Sequence, residues 1–132
     1  MTTAICTESD VDQIFGDAHV TSWATQDPAD AGATITARKV RACLVATVAV
    51  EDLLRATAYA VPALNADAAT PITLVDLAAR IAGLWLYEAQ GADGMHSSGI
   101  PIHRYSFMRE DVRRRMEEIR LGTVILDAVT GG

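Results

Sequence analysis

Residues 42–50 read ACLVATVAV, small or apolar at every position, inside a run of helix-compatible residues that stretches from about Thr36 to about Ala60. A helix that is apolar all the way round must be buried on all sides. Charge marks only its ends, with Arg38, Lys39 and Arg41 at one and Glu51, Asp52 and Arg55 at the other. Periodicity alone leaves two readings open: the central helix of a monomer, or a helix whose middle lies between subunits. Its end is legible. In RATAYAVPAL (55–64), Pro62 disfavours helical geometry at Val61 and has no backbone N–H to donate, and Asn65, Asp67 and Pro71 extend the break.

Beyond the break a second apolar helix is expected from Ile72 or Thr73 to Gln90, folded back along the first. In it Asp76, Arg80, Gly83 and Tyr87 trace one narrow polar stripe, with Asp76 and Arg80 set for an i,i+4 pair. The other positions, Leu74, Leu77, Ala78, Ile81, Leu84, Trp85 and Leu86, are expected to face apolar partners.

Shorter segments flank this pair. TESDVDQIFG reads as a short helix: Thr7 is the N-cap, Asp10 sits at N3, Val11, Ile14 and Phe15 form its apolar face, and Gly16 stops it. HVTSWA offers a brief apolar contact through Val20 and Trp23, and TQDPADAGAT an exposed loop. The glycine- and serine-rich GADGMHSSGIPIH is a connecting loop. A last helix is expected from about Ser106 to Leu121, where Tyr105, Met108, Val112, Met116 and Ile119 make a narrow apolar stripe on an otherwise charged surface. Gly122 closes it and an extended C-terminal tail (122–132) follows, apolar enough to dock. The fold class is all-α: a small helical bundle of two long central helices, a short N-terminal helix and a charged C-terminal helix, in one domain over 1–132. A chain of 132 residues buries roughly two thirds of its unfolded surface, enough for a core without staples.

Half the residues are hydrophobic but only 5% are aromatic, which favours close alanine and valine packing over large aromatic anchors. Cys6 and Cys43 lie far apart, match no zinc spacing and form no dense framework, so both are expected to be reduced and buried. The start, MTTAICTESD, has no basic flank and no apolar run, so no secretory leader is expected and the chain should stay in the cytoplasm where it is made. LVATVAVEDLL is interrupted by Glu51 and Asp52, and ITLVDLAARIAGLWLY carries Asp76 and Arg80, so neither is a credible membrane span.

Catalysis needs positioned titratable groups, and none is evident. His19, His96 and His103 match no metal pattern, neither cysteine is near a histidine, and GADGMHSSG lacks the lysine of a phosphate-cradling loop. The paired carboxylates Glu51–Asp52, Glu110–Asp111 and Glu117–Glu118 diverge by about 100° on a helix, and read as solvated faces with partners such as Glu110 with Arg114 or Glu117 with Arg113. No enzyme activity, metal or cofactor is expected.

The net charge of -6 is unevenly spread. Residues 1–34 hold Glu8, Asp10, Asp12, Asp17, Asp27 and Asp30 and no base, whereas 104–120 hold Arg104, Arg109, Arg113, Arg114, Arg115 and Arg120 among four acids. A small helical DNA-binding regulator is the alternative this helix raises. Its arginines alternate with acids in a net acidic chain, without interleaved aromatics, so a protein contact through them is the stronger expectation.

The order of several motifs carries a resemblance. TESDVDQIFGDAHVTSWA is similar to the entry helix of the Mu-type bacteriophage head-tail connector (head-completion) family, VEDLLRATAYAVPAL to its long helix ending in a Tyr-x-Val-Pro turn, LVDLAARIAGLWLYEAQ to its next helix, and MREDVRRRMEEIRLGTVIL to its last. The resemblance spans about residues 7–126. It implies a structural virion protein: a head-tail adaptor that forms a homo-oligomeric, dodecameric ring beneath the portal protein and offers the platform for tail or neck proteins. Genomic DNA would pass through the lumen without sequence-specific binding, no membrane would be involved, and the protein would assemble in the host cytoplasm and reside in the virion neck. On that reading the acids Glu8, Asp10 and Asp12 meet a neighbour's Arg109, Arg113, Arg114, Arg115 and Arg120, and Tyr59 and Val61 at the turn face another subunit.

Overall fold

The computed structural model describes residues 3–89, 105–123 and 125–128. Five helices follow one another: α1 (Glu8–Phe15), α2 (Asp17–Ala24), α3 (Gly32–Arg55), α4 (Ile72–Ala89) and α5 (Ser106–Leu121). The fold is all-α, and the two long helices α3 and α4 pack on each other as expected. The loop GADGMHSSGIPIH, with His96, His103 and the neighbouring Arg104, lies outside the described residues.

α1 forms because both ends are chemically fixed. Thr7 Oγ1 accepts from the Asp10 backbone N–H at 3.3 Å, and Asp10 Oδ2 accepts from the Thr7 N–H at 2.7 Å, a reciprocal capping box. At the other end Gly16 takes φ 93°, a conformation L side chains rarely adopt, and its N–H reaches Asp12 O at 2.8 Å. The chain then turns straight into α2. Sequence reading had only a brief apolar contact in HVTSWA; the segment is a full helix, and it places Val20, Trp23 and Ala24 in the core at three- and four-residue steps.

α3 starts and stops earlier than the pattern predicts. It begins at Gly32 without a side-chain cap and ends at Arg55, not at Ala60. Thr57 explains the stop: its hydroxyl donates to Leu54 O at 2.6 Å and its N–H to the same oxygen at 2.9 Å, which tightens the last turn and ends the helix before proline acts. In the linker, Asn65 accepts from the N–H groups of Asp67 and Ala69 at 2.9 and 3.1 Å, a turn held by one side chain.

α4 is the hub, packing on all four other helices. Leu54, Val50 and Thr47 of α3 meet Leu74 and Leu77 of α4 in the fully buried centre, with Val11 and Val20 closing it from α1 and α2. The expected polar stripe on α4 holds only in its first half. Asp76 and Arg80 pair at 2.8 Å, but Gly83 and Tyr87 are buried. Nor do all the positions expected to face inward do so: Trp85 is exposed, and so, on another side at the start of the helix, is Ile72.

α5 lays Val112 and Ile119 on the core, with Tyr105, Met108 and Met116 packed at its edge. Gly122 ends it in the left-handed region, with Gly122 N–H to Ile119 O at 3.2 Å and Thr123 N–H to Glu118 O at 3.0 Å, the paired bonds of a Schellman motif. Beyond it Leu126 is buried, and its N–H donates to the Tyr59 hydroxyl at 2.7 Å, so the start of the tail docks on the turn after α3. No helix among the described residues is long and apolar enough to cross a membrane.

Candidate functional surfaces

The arginines of α5 carry their own counter-ions. Arg113 pairs with Glu110 at 2.8 Å, Arg114 with Asp111 and with Glu118, Arg115 with Asp111 at 2.9 Å, and Arg120 with Glu117. Three of these partners stand three residues before their arginine, so the expected pairs Glu110–Arg114 and Glu117–Arg113 give way to Glu110–Arg113 and Glu117–Arg120. Residues three apart share a helix face as readily as those four apart. The pairing holds the Asp111 and Glu117 carboxyls below the usual carboxylate range, by hydrogen bonds from Arg114 and Arg120, and raises the guanidinium groups of Arg113, Arg114 and Arg120. The surface is a lattice of both signs, a poor electrostatic footprint for a polyanion.

Two arginines leave the helix to tie down α4. Arg109 meets Glu88 at 2.7 Å, and Arg115 reaches Asp76 at 3.1 Å. Asp76 thus holds Arg80 and Arg115 together. Next to it opens a cleft of about 350 Å³ lined by Asp10, Gln13, Asp76 and Arg115. An acid of the N-terminal third and an arginine of α5 therefore face one cleft within a single chain.

The other N-terminal acids turn to α3. Lys39 Nζ stands 3.6 Å from both Asp12 and Asp17 and donates to Thr21 Oγ1 at 3.1 Å, and the residue is only 8% exposed. A buried cation shared by α1 and α2 is therefore the electrostatic fastener of the N-terminal helices. In the sequence Lys39 is one of the charges that mark the start of the long helix; its burial comes from α2, which the sequence pattern does not reveal as a helix. Arg38 similarly grips Asp30 and the Ala24 carbonyl, and its hydrogen bond, followed by that from the Asp27 N–H, holds the Asp30 carboxyl low. Glu8 is half-buried in the first turn of α1, where the helix dipole favours a carboxylate.

Tyr59 and Val61 are half-buried and pack against the chain's own core, Tyr59 with its hydroxyl on Leu126. Cys6 and Cys43 are both free and buried. They adjoin, and a hydrogen bond to Cys43 together with burial pushes the Cys6 thiol up. The N-terminal strap is held there by Ile5 N–H on Thr47 Oγ1 at 2.9 Å.

The few aromatic residues gather, contrary to the expectation of a core without aromatic anchors. Phe15, Trp23, Tyr87 and Tyr105 meet edge to face with centroids 4.9 to 5.5 Å apart, joining α1, α2, α4 and the entry to α5. Gly83 makes room for them: a Cβ there would lie 2.0 Å from Phe15 Cε2.

What the core leaves uncovered is apolar. α3 buries Ala42, Cys43, Ala46, Thr47, Val50 and Leu54, while Val40 and Val48 on the opposite side are 41% and 45% exposed. Within one chain, then, the middle of α3 is covered on one side only. A groove of about 380 Å³ adjoins this face, lined by Ala49, Ile81, Leu84, Trp85, Val112 and Met116 from α3, α4 and α5. Among the described residues no group of three or more His, Cys, Asp or Glu could hold a metal ion. Comparison with protein-family models, with characterised proteins and with solved structures returns no match for this chain.

Proposed function

We propose that this chain is a structural adaptor of the head-tail connector type, a virion protein that works by contact with copies of itself and with other proteins. The observation that carries the reading is the contrast on its surface. Most acids and arginines named above are matched within the chain, whereas α3 and the α3–α4–α5 groove present exposed valines and Trp85. Exposed apolar surface rimmed by polar groups is what a protein-binding surface offers. The order of motifs over residues 7–126 adds the ring beneath the portal and the platform for a tail. The locally neutralised α5 suits a ring through which DNA slides without being held.

Particle mass and negative-stain images of the protein mixed with its cognate portal test this. Rings seated on the portal are expected. A protein that leaves the portal bare and instead binds duplex DNA with steep salt dependence would replace the adaptor with the DNA-binding regulator. The inter-subunit charge pairing has its own test. If reversal of Arg113, Arg114 and Arg115 together leaves ring assembly unchanged at low and high salt, acid–arginine pairing does not join the subunits.

A further inference from the structure

We propose that the free protein is a two-fold dimer in which α3 packs antiparallel on α3 of a second copy, about an axis at the level of Ala46 and Thr47. Ala37, Val40, Leu44 and Val48 recur at three- and four-residue steps and form one stripe on the side of α3 away from its core. Val45 and Ala49 lie beside it, and Trp85 of α4 widens it at the groove. A second copy of the same stripe matches it in length and chemistry.

Charge decides the orientation. Arg41 and Asp52 stand at opposite ends of the stripe, eleven residues apart, which is close to three whole turns and roughly 16 Å. Both therefore lie along the same edge of α3. In an antiparallel pair about a two-fold axis midway between them, Arg41 of each copy faces Asp52 of the other, and the match occurs twice. Leu44 and Val48 then pack on Val48 and Leu44 between the two ion pairs. A parallel pair would put the two Arg41 side chains at one level on opposite edges of the contact, and neither would face Asp52 of the other copy. Both charges are available: among the described residues Arg41 is exposed with no ion pair, and Asp52 pairs only with Arg55, at 2.6 Å on an open surface. A two-fold contact closes on itself, so it describes the protein before assembly and stands whether or not the connector reading does.

Light-scattering mass over a concentration series on the full chain tests the pairing, with wild type, Arg41→Asp, Asp52→Arg, the double reversal and Val48→Asp. The wild type is expected to have the mass of two copies. Each single reversal opposes like charges twice and should weaken the dimer by about tenfold or more, while the double reversal should return most of that loss. Val48→Asp should give a monomer with unchanged helical circular dichroism, because Val48 is exposed in the single chain. A wild type that stays monomeric across the series, a dimer indifferent to both single reversals, or a double reversal no tighter than the singles would overturn the proposal. Rings formed by the free protein would also overturn it while supporting the adaptor reading.

Discussion

Gly83→Ala sets two opposing effects against each other at one atom. Alanine is favoured over glycine inside a helix by about 1 kcal/mol, and on that ground alone the variant should be more stable. The added Cβ, however, would lie 2.0, 2.4 and 2.7 Å from three atoms of the Phe15 ring. Carbon atoms pack comfortably at about 3.5–4.0 Å, so the ring must retreat by about 1.5 Å. It has little room, with Trp23 at 5.4 Å and Tyr105 at 5.5 Å between centroids on its other edges. Overpacking of this kind costs about 1–3 kcal/mol, and a whole ring wedged between two others belongs at the upper end. The net expectation is a loss of about 1–2 kcal/mol, or roughly 3–10 °C in Tm for a domain of this size. Urea denaturation followed by far-UV circular dichroism measures it, with near-UV bands reporting the aromatic cluster. Gly32→Ala is the control: nothing lies within 4 Å of a Cβ there, so that variant should be neutral or gain up to about 1 kcal/mol. Phe15→Leu introduced beside Gly83→Ala should cost less than the two changes summed. If Gly83→Ala matches Gly32→Ala in stability, the steric reasoning is wrong.

Three further outcomes follow from the same contacts. Lys39→Met removes the cation shared by Asp12 and Asp17; as Asp17 is 79% exposed and Asp12 25%, the loss should be about 1–2 kcal/mol, below the figure for a fully buried pair, and urea titration reads it. Equal stability would mean that apolar packing alone docks α1 and α2. Tyr59→Phe takes the acceptor from the Leu126 N–H and should cost about 0.5–1.5 kcal/mol, with faster amide exchange at Leu126 and little change in α4. On acidification, Asp30, Asp111 and Glu117 act together, since each carboxyl is held low by an arginine. A depressed carboxyl contributes stability that is present above the unfolded pKa of about 4 and is lost as pH falls through the lowered folded value. Helicity should therefore hold at pH 5 and fall below about pH 4, less steeply in high salt; no change down to about pH 2 would mean that these pairs do not stabilise the fold.

The features legible in the sequence are those whose cause is local. Thr7 and Asp10 form the expected cap because both partners lie within one turn, and the apolar stripe of α5 survives, although it meets both α3 and α4, because its three- and four-residue spacing is set within one helix. α2 was missed because eight residues give too little periodicity to separate a helix from a loop that touches the core. The end of α3 was misplaced because Thr57 captures Leu54 O, a choice that helix propensity does not encode. Gly83 and Tyr87 looked polar by position, yet glycine has no polarity to display and tyrosine can bury its ring. Their burial depends on Phe15 and Trp23, which arrive from other helices. The surfaces show the same divide: charge segregation was plain in the sequence, but which acid meets which base was fixed by tertiary placement.

That placement changes what can hold subunits together. Asp12 and Asp17 are engaged by Lys39, Asp30 by Arg38, and most arginines of α5 by acids of the same helix. An inter-subunit bond to any of them must first break a bond inside the chain, so its net gain is small. The apolar stripe of α3 has no such competitor: covering Val40 and Val48 removes apolar surface from water, and the one bond that its orienting charges give up is the open-surface pair of Asp52 with Arg55. Association through α3 should accordingly rest on burial and take its direction from Arg41 and Asp52. Added salt would weaken the orientation-setting pairs and leave the apolar contribution in place. An interface built on the α5 arginines would instead dissociate as salt rises, and a salt series on the wild-type protein separates the two.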